Sequence, residues 1–404
     1  MESQPIRFGV FLAPFHPDDE SPTEQIHRDL DLIEHLERLG YHEAWIGEHH
    51  SGGYEIIGSP ELFIAHAAAR TQRIRLGTGV VSLPYHHPFM VAARLLQLDH
   101  QTHGRVMLGV GPGQLPTDAF MLGIDVSQQR RRMNESLEAV LALLRGEPVT
   151  RKTDWFEMHD ARLQLPPFQR PHLEAAVASA ISPSGARAAG THGIGLLSLA
   201  ASGPDGFDQL PKHWQVCEEK AAEHGRRVDR QSWRVVAPMH IAETREQAYE
   251  DMRHGLMRLT RYMEKLGGTR PDYAESFERC LEEWTTKGLV VFGRLTLGTP
   301  DDAIETIERF RERSGGFGTL LLLGHNCANP EATRKSYELI ARYVMPAVNG
   351  ANRARAASLD WAQENSRTFI PAMAGAIGQA IHEHESERAE RGGRGTAWGS
   401  DPPA

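Results

Sequence analysis

Residues 41–54 read YHEAWIGEHHSGGY. A helical pattern ends at Gly40, and 44–47 then reads as a short buried strand. Glu48, His49 and His50 follow at once, where that strand would emerge. A carboxylate and two histidines are costly at a strand end unless water or a ligand satisfies them. In α/β proteins, ligands bind at the carboxyl ends of parallel strands. The stretch therefore supplies both a strand and a candidate site.

Working outward, 8–12 is an apolar run fit for a fully buried strand. Ser21-Pro22-Thr23-Glu24 has the signals of a helix start: serine to cap amides, proline for the first helical position, glutamate to close a capping box. Leu32, Leu36 and Leu39 then share one helical face. Downstream, a helix over 62–70 starts at Ser59-Pro60-Glu61. A strand at 74–81, a helix at 88–103, a strand at 105–110 and a helix at 128–144 follow. This rhythm means parallel strands with right-handed crossovers. Residues 147–169 carry no clean period and predict an excursion with a small hairpin. Strands resume at 173–178, 195–199, 235–240 and 319–323. Eight strands predict an α/β fold, a (β/α)8 TIM barrel with insertions near the C-terminal mouth of the strands. The competing reading is an open doubly wound sheet; no GxGxxG follows the first strand to favour its dinucleotide form. The barrel domain is expected over 1–350, with a second excursion at 267–295. A helical extension is expected over 351–381, and a disordered tail over 382–404, rich in Glu, Arg, Gly and Ser.

Composition narrows the function. The chain has 404 residues, 40% of them hydrophobic, enough for a large core. With 44 Lys+Arg against 53 Asp+Glu, it has no surplus of cations for nucleic acid. Its three cysteines form no CxxC pair and no disulfide framework. No stretch of about 20 apolar residues predicts a membrane span. Residues 1–9 lack the apolar core of a signal peptide, so the expectation is a cytoplasmic protein.

In a barrel, the strand ends rise around one mouth. They carry Ala13 to His16, Glu48 to His50, Ser82 to His87, Gly111 to Gly113, Ser179 to Ser182, His240, and His325 to Cys327. Each has a bland reading. His86 and His87 serve equally as a cap before Pro88, and His49 as a histidine bonded to backbone. Zinc is not expected, because Glu48-His49-His50 lacks HExxH spacing and no second cluster stands nearby in sequence. Residues 109–113, GVGPG, have no lysine and are no P-loop; glycine there permits a flat ring to approach, or simply a tight turn. Ser179-Ala180-Ile181-Ser182-Pro183 offers amides and a hydroxyl to a phosphate, or an ordinary serine cap. Phe15, Leu83, Tyr85 and Met239 are candidate apolar pocket walls, with His50 and His325 as polar ones.

Several of these segments together resemble the bacterial luciferase-like flavin monooxygenases. They are FGVFLAPF at 8–15, AWIGEHH at 44–50, RIRLGTGVVSLPYHHP at 73–88, QLDHQTHGRVMLGVGPG at 97–113, SAISPSGARAAGTHGIGLLSL at 179–199 and GTLLLLGHN at 318–326. The resemblance implies the barrel and a two-component monooxygenase. A separate NAD(P)H-dependent flavin reductase supplies reduced FMN as cosubstrate. With O2, through a flavin C4a-(hydro)peroxide, one oxygen atom enters a small or medium apolar molecule, a terpene-like alkene or a cyclic ketone. It implies His49 as the catalytic residue, and Ala13, Val110, Gly111, Ser179, Ile181 and Ser182 around the cofactor. Val110 stands where luciferase has a reactive cysteine, and Gly111 where the family has a phosphate-holding arginine. Light emission is therefore not expected, and phosphate binding falls on 179–182 or on another cation. A homodimer through the helices at 62–70 and 88–103 is also implied. The alternatives are an F420-dependent oxidoreductase on the same barrel and a non-catalytic flavin-binding protein.

Overall fold

The computed structural model describes residues 4–13, 15–199, 201–267, 273–288 and 293–393. The chain divides into two compact units, Met1–Asn349 and Gly350–Ala404. The first unit is a closed barrel of eight parallel strands: β1 Arg7–Leu12, β2 Glu43–Ile46, β3 Arg75–Thr78, β4 Val106–Gly111, β5 Ala175–Ser179, β6 Gly195–Ser198, β7 Trp233–Ala237 and β8 Thr319–Leu323. β1 lies between β2 and β8, and a β3–β4 pairing closes the ring.

Local signals act as the sequence implies. The Ser21 hydroxyl accepts a bond from the Glu24 amide at the start of helix Pro22–Leu39, and Gly40 ends that helix at φ 86°. Two boundaries differ from expectation. The third strand stops at Thr78, and a two-residue piece, Val81–Ser82, pairs instead beside Val110 and Gly111. The seventh barrel strand stops at Ala237; Met239–Ile241 leaves the barrel to pair with Thr296–Gly298. The excursion near 147–169 holds the hairpin Val149–Lys152 and Glu157–Ala161. The one at 267–295 holds helix Phe277–Glu282, with 268–272 and 289–292 outside the described residues.

The second unit contains helices Arg353–Glu364 and Ser366–Gly393. Residues 382–393, expected to be disordered, are thus helical, and 394–404 lie outside the described residues. Among the described residues no helix is long and apolar enough to cross a membrane.

Side chains alternate across each strand with period two. Phe8, Val10 and Leu12 of β1 face outward onto Leu30, Ile33 and Leu36 of the first helix. Phe11, Trp45, Met107, Ala176, Leu197, Val236 and Leu321 form the inner set. Trp45 dominates that set. A Cβ at Gly77 would lie 2.5 Å from its indole, and one at Gly109 2.9 Å from it. Glycine at these two strand positions is what admits the ring.

Below the indole lies an ion network. The Trp45 ring N–H donates to Glu43 at 2.9 Å. The Arg234 guanidinium, fully buried, donates to both Glu43 oxygens at 2.9 and 3.0 Å and to Glu174 at 2.5 Å, and stands 5.1 Å from the Trp45 ring centre. Arg75 adds a second bond to Glu174. Burial opposes ionisation of Glu174, but the charges of Arg234 and Arg75 outweigh it and hold its pKa down near 2. Removing the cation strands two carboxylates, one of them wholly desolvated. Arg234→Met is expected to cost about 3–5 kcal/mol, read by denaturant unfolding.

Candidate active site

Beyond β2 the chain turns outward as Glu48-His49-His50, and each side chain has a defined partner. His49 is held from both sides. Its Nδ1 lies 3.2 Å from Asp118 Oδ2, and its Nε2 lies 2.9 Å from Glu55 Oε2. Asp118 is 1% exposed and Glu55 9%. Two carboxylates accepting from one ring require both nitrogens to carry protons, which is the imidazolium form. Burial works against that charge, but Glu55 and then Asp118 outweigh it, so the His49 pKa is raised. Asp118 also accepts from the His50 backbone amide at 3.2 Å and from the Ser51 hydroxyl.

Glu48 organises the other side. Its Oε1 accepts from His50 Nε2 at 2.9 Å and His86 Nε2 at 2.6 Å, and its Oε2 from the Ser82 amide at 2.7 Å. Burial raises the Glu48 pKa, but the His50 and His86 hydrogen bonds, the His86 charge and the Ser82 amide bring it below the usual value. His50 is raised, chiefly by its bond to Glu48. Ligand-type atoms of Glu48, His50 and His86 all lie within 4.8 Å of one another, a juxtaposition that the sequence spacing does not announce. Donors around one tetrahedral zinc stand roughly 3.3 Å apart, from bonds of about 2.0 Å. The 2.6 and 2.9 Å contacts are closer than that, as hydrogen bonds are.

Tyr85 joins this group. Its ring lies 6.1 Å from His50, and its hydroxyl accepts from Gln129 at 2.9 Å. Burial and the nearby Asp118 and Glu48 charges push its pKa up to about 12. Phe15 belongs to the inner apolar set and pairs by backbone with Glu55, and Ala13 belongs to the same set. Tyr262 stacks on Tyr54 at 4.1 Å, and its hydroxyl is buried without a partner among the described residues. The Glu55 and Asp118 charges help to raise its pKa after burial, so it stays a donor.

Other expected residues stand differently. Leu83, Val110 and Met239 pack in the outer apolar layer: alternation along β4 turns Val110 outward, Leu83 lies on the 3-10 turn Leu83–Tyr85, and Met239 lies on the strand that has left the barrel. Their side chains therefore do not line the mouth, and Val110 could meet a ligand only through its backbone. His325 lies beside His240, 6.0 Å between rings, accepts from the Cys327 amide at 3.2 Å, and is driven by burial to a pKa of about 3. Its Nε2 lies 3.4 Å from the Met239 carbonyl, and the ring is half-buried.

The phosphate-type segment is partly as expected. Helix Ser184–His192 starts one residue later than expected, with Pro183 rather than Ser182 at the cap position. The Ser179 hydroxyl is spent on the Ser182 carbonyl, and the Ile181 carbonyl accepts from His213. The Ser182 and Ser184 hydroxyls are exposed, 2.8 Å apart, beside the helix N-terminus. Such donors, with first-turn amides, suit a phosphate. A Cβ at Gly111 would lie 2.7 Å from Val80, so no side chain fits where the family's arginine stands. Together with the partnerless Tyr262 hydroxyl, these donors fit a flavin phosphate and a polar ring edge at one barrel mouth.

Comparisons with known proteins place the chain. The family model described as luciferase-like monooxygenase matches residues 6–316. Limonene 1,2-monooxygenase of Rhodococcus erythropolis is 46% identical over 388 residues, 96% of this chain and 98% of that protein. This alignment is longer than the first unit and so runs into the second. 4-Hydroxyprotoasukamycin monooxygenase of Streptomyces nodosus subsp. asukaensis is 49% identical over 366 residues, 90% of this chain and 97% of its own. Among solved structures, the FMN-bound oxygenating constituent of Pseudomonas putida 3,6-diketocamphane monooxygenase superposes with a TM-score of 0.69 and 25% identity, over 85% of this chain and 98% of that one.

The His49 clamp has a pH signature. Its folded-state pKa is raised, so its contribution to stability is full below the unfolded value of about 6.5 and fades as pH rises through the folded value. Asp118→Asn removes one carboxylate and is expected to lower the His49 titration midpoint, read by NMR with His49→Gln assigning the signal. The loss of stability in Asp118→Asn should be larger at acid than at alkaline pH. An unmoved midpoint contradicts the clamp.

Proposed function

The chain belongs to the luciferase-like monooxygenases, and from that membership we propose that it is the oxygenase of a two-component system acting on a small or medium apolar molecule, a terpene-like alkene or a cyclic ketone. The observation that carries this reading is His49, held by both ring nitrogens between two buried carboxylates where β2 opens at the barrel mouth. Reduced FMN, delivered by a separate NAD(P)H-dependent flavin reductase, supplies the electrons that send one oxygen atom of O2 to product and the other to water. The protein binds, orients and excludes water. The Ser182 and Ser184 hydroxyls and the amides of helix Ser184–His192 hold the phosphate, in place of a side chain at 111. Glu55 keeps a proton on His49 Nε2, and Asp118 fixes the imidazole from its other nitrogen, so that the ring stands beside the mouth with its proton held ready. Phe11, Phe15 and Leu323 make the inner layer near the strand ends apolar, which supports an apolar substrate, as do the limonene and diketocamphane names of the relatives. The reductase's NAD(P)H argues for action in the cytoplasm.

His49→Ala should leave the fold intact and lower product formed per reduced FMN by about 100- to 10,000-fold, with hydrogen peroxide in its place. A flavin reductase, 18O2 and a panel of alkenes, ketones, sulfides and phenols test both protein and substrate class. Oxidation of anionic sulfonates alone, or turnover with F420 and none with FMN, contradicts the reading.

For assembly, two exposed side chains lend support to pairing of like chains. Leu62 on helix Pro60–Arg70 is 74% exposed and Met90 on helix Pro88–Gln101 is 49% exposed. They support a homodimer through these helices. Leu62→Glu with Met90→Glu should weaken association in sedimentation equilibrium at micromolar protein; an unaltered mass excludes this interface.

A further inference from the structure

Helix Arg245–Gly267 crosses the barrel mouth, and one face of it meets the chain beyond four strands in turn. Asp251 lies 3.1 Å from His240, beyond β7. Gly255 packs on Cys327, beyond β8, so closely that a Cβ there would lie 1.9 Å from the Cys327 carbonyl. Arg258 pairs with Asp19, beyond β1. Tyr262 stacks on Tyr54, beyond β2, with 4.1 Å between ring centres and 13° between planes. Steps of four, three and four residues keep these contacts on one helical face. The last of them falls beside the loop that carries His49.

Met252, Leu256 and Leu259, the buried side chains that precede Tyr262 along this helix in the inner set, are apolar. Tyr262 is 6% exposed, yet its hydroxyl has no hydrogen-bond partner among the described residues. A buried hydroxyl without a bond is destabilising, and phenylalanine would fill the same space without that loss. By contrast, the buried Tyr41 hydroxyl donates to the Tyr337 carbonyl at 3.1 Å.

The surroundings of the Tyr262 hydroxyl define the partner it lacks. A Cβ at Gly52 would lie 2.8 Å from the phenol oxygen and 3.6 Å from a Leu115 methyl, so glycine keeps a side chain off that oxygen. Glu55 follows Tyr54 in the chain, and Asp118 stands three residues beyond Leu115. Burial first, then the Glu55, Tyr54 and Asp118 charges, raise the phenol pKa, so the group stays protonated and donates. The same two carboxylates disfavour an anion as acceptor. A carbonyl oxygen is an uncharged acceptor that brings no proton of its own.

We propose that Tyr262 is a ligand-positioning residue of the mouth, its hydroxyl donating a hydrogen bond to a carbonyl oxygen of the flavin ring or of the substrate. The identity of these two ligands rests on the oxygenase reading; the need for an acceptor rests on the buried hydroxyl alone. Where the substrate supplies the carbonyl, Tyr262 favours a ketone over an alkene of the same shape.

Tyr262→Phe in the full-length chain keeps the ring and removes one oxygen. Without ligand, its melting temperature should equal or exceed that of the unaltered chain, because no bond is lost; Tyr41→Phe, which does lose one, should melt lower. A Tyr262→Phe chain that melts several degrees lower has lost a bond within the protein, and that overturns the proposal. Ligand binding then separates the two carbonyls. In anaerobic titration, reduced FMN should bind about 3- to 10-fold more weakly to Tyr262→Phe if the ring carbonyl is the acceptor. In equilibrium dialysis, cyclohexanone should bind more weakly by a similar factor, with methylenecyclohexane unchanged, if the substrate is the acceptor; in turnover this is a raised KM with kcat held. Unchanged binding of both FMN and cyclohexanone overturns the proposal. An unaltered chain that oxidises neither ring compound contradicts the oxygenase reading instead, and melting and binding still decide the role of the hydroxyl.

Discussion

The indole of Trp45 is the constraint on which the barrel and its mouth depend. It fills the interior only because Gly77 and Gly109 carry no side chain there. Its ring nitrogen is tied to Glu43, and Glu43 to a fully buried Arg234 that also serves Glu174. Strands β2, β7 and the start of β5 are thus fastened at one end of the barrel by charge and above it by one ring. Three residues beyond Trp45 the chain reaches Glu48. The position of the histidines at the opposite end is inherited from this packing, since β2 cannot slide or tilt without displacing the indole.

At the mouth the same strand end feeds two carboxylate–histidine groups of different design. Glu48 takes two imidazole donors and one amide, and is spent on holding its loop together. His49 is instead one ring between two acceptors, so geometry favours its charged form. The short helix Pro116–Met121 brings Asp118 to the inner nitrogen, and the loop after His50 brings Glu55 to the outer one. A proton kept on Nε2 by a buried carboxylate suits chemistry in which oxygen must be handed over with water excluded.

Much of this was legible in the sequence, because it rests on local signals. Strand periodicity, Ser21 with Pro22 and Glu24, and the costly Glu48-His49-His50 at a strand end locate the barrel and its mouth. The partners were not legible. Asp118 lies 69 residues from His49 with no local pattern. Glu55 sits in a glycine-containing loop that reads as a turn, and Tyr262 reads as one more residue of an amphipathic helix. Val110 stands apart for a different reason. A strand end says where the backbone emerges, but a shift of one residue sends the side chain to the other face. The tail at 382–393 reads as disordered by composition, yet continues an apolar helix that composition averaged over the tail conceals.

Electron density for FMN in crystals of this chain, grown and reduced without oxygen, tests the central claim most directly. The account predicts the phosphate within hydrogen-bond distance of the Ser182 and Ser184 hydroxyls, with the reactive edge of the ring facing His49 Nε2. Flavin seated away from His49, or a phosphate held elsewhere on the barrel, would contradict it.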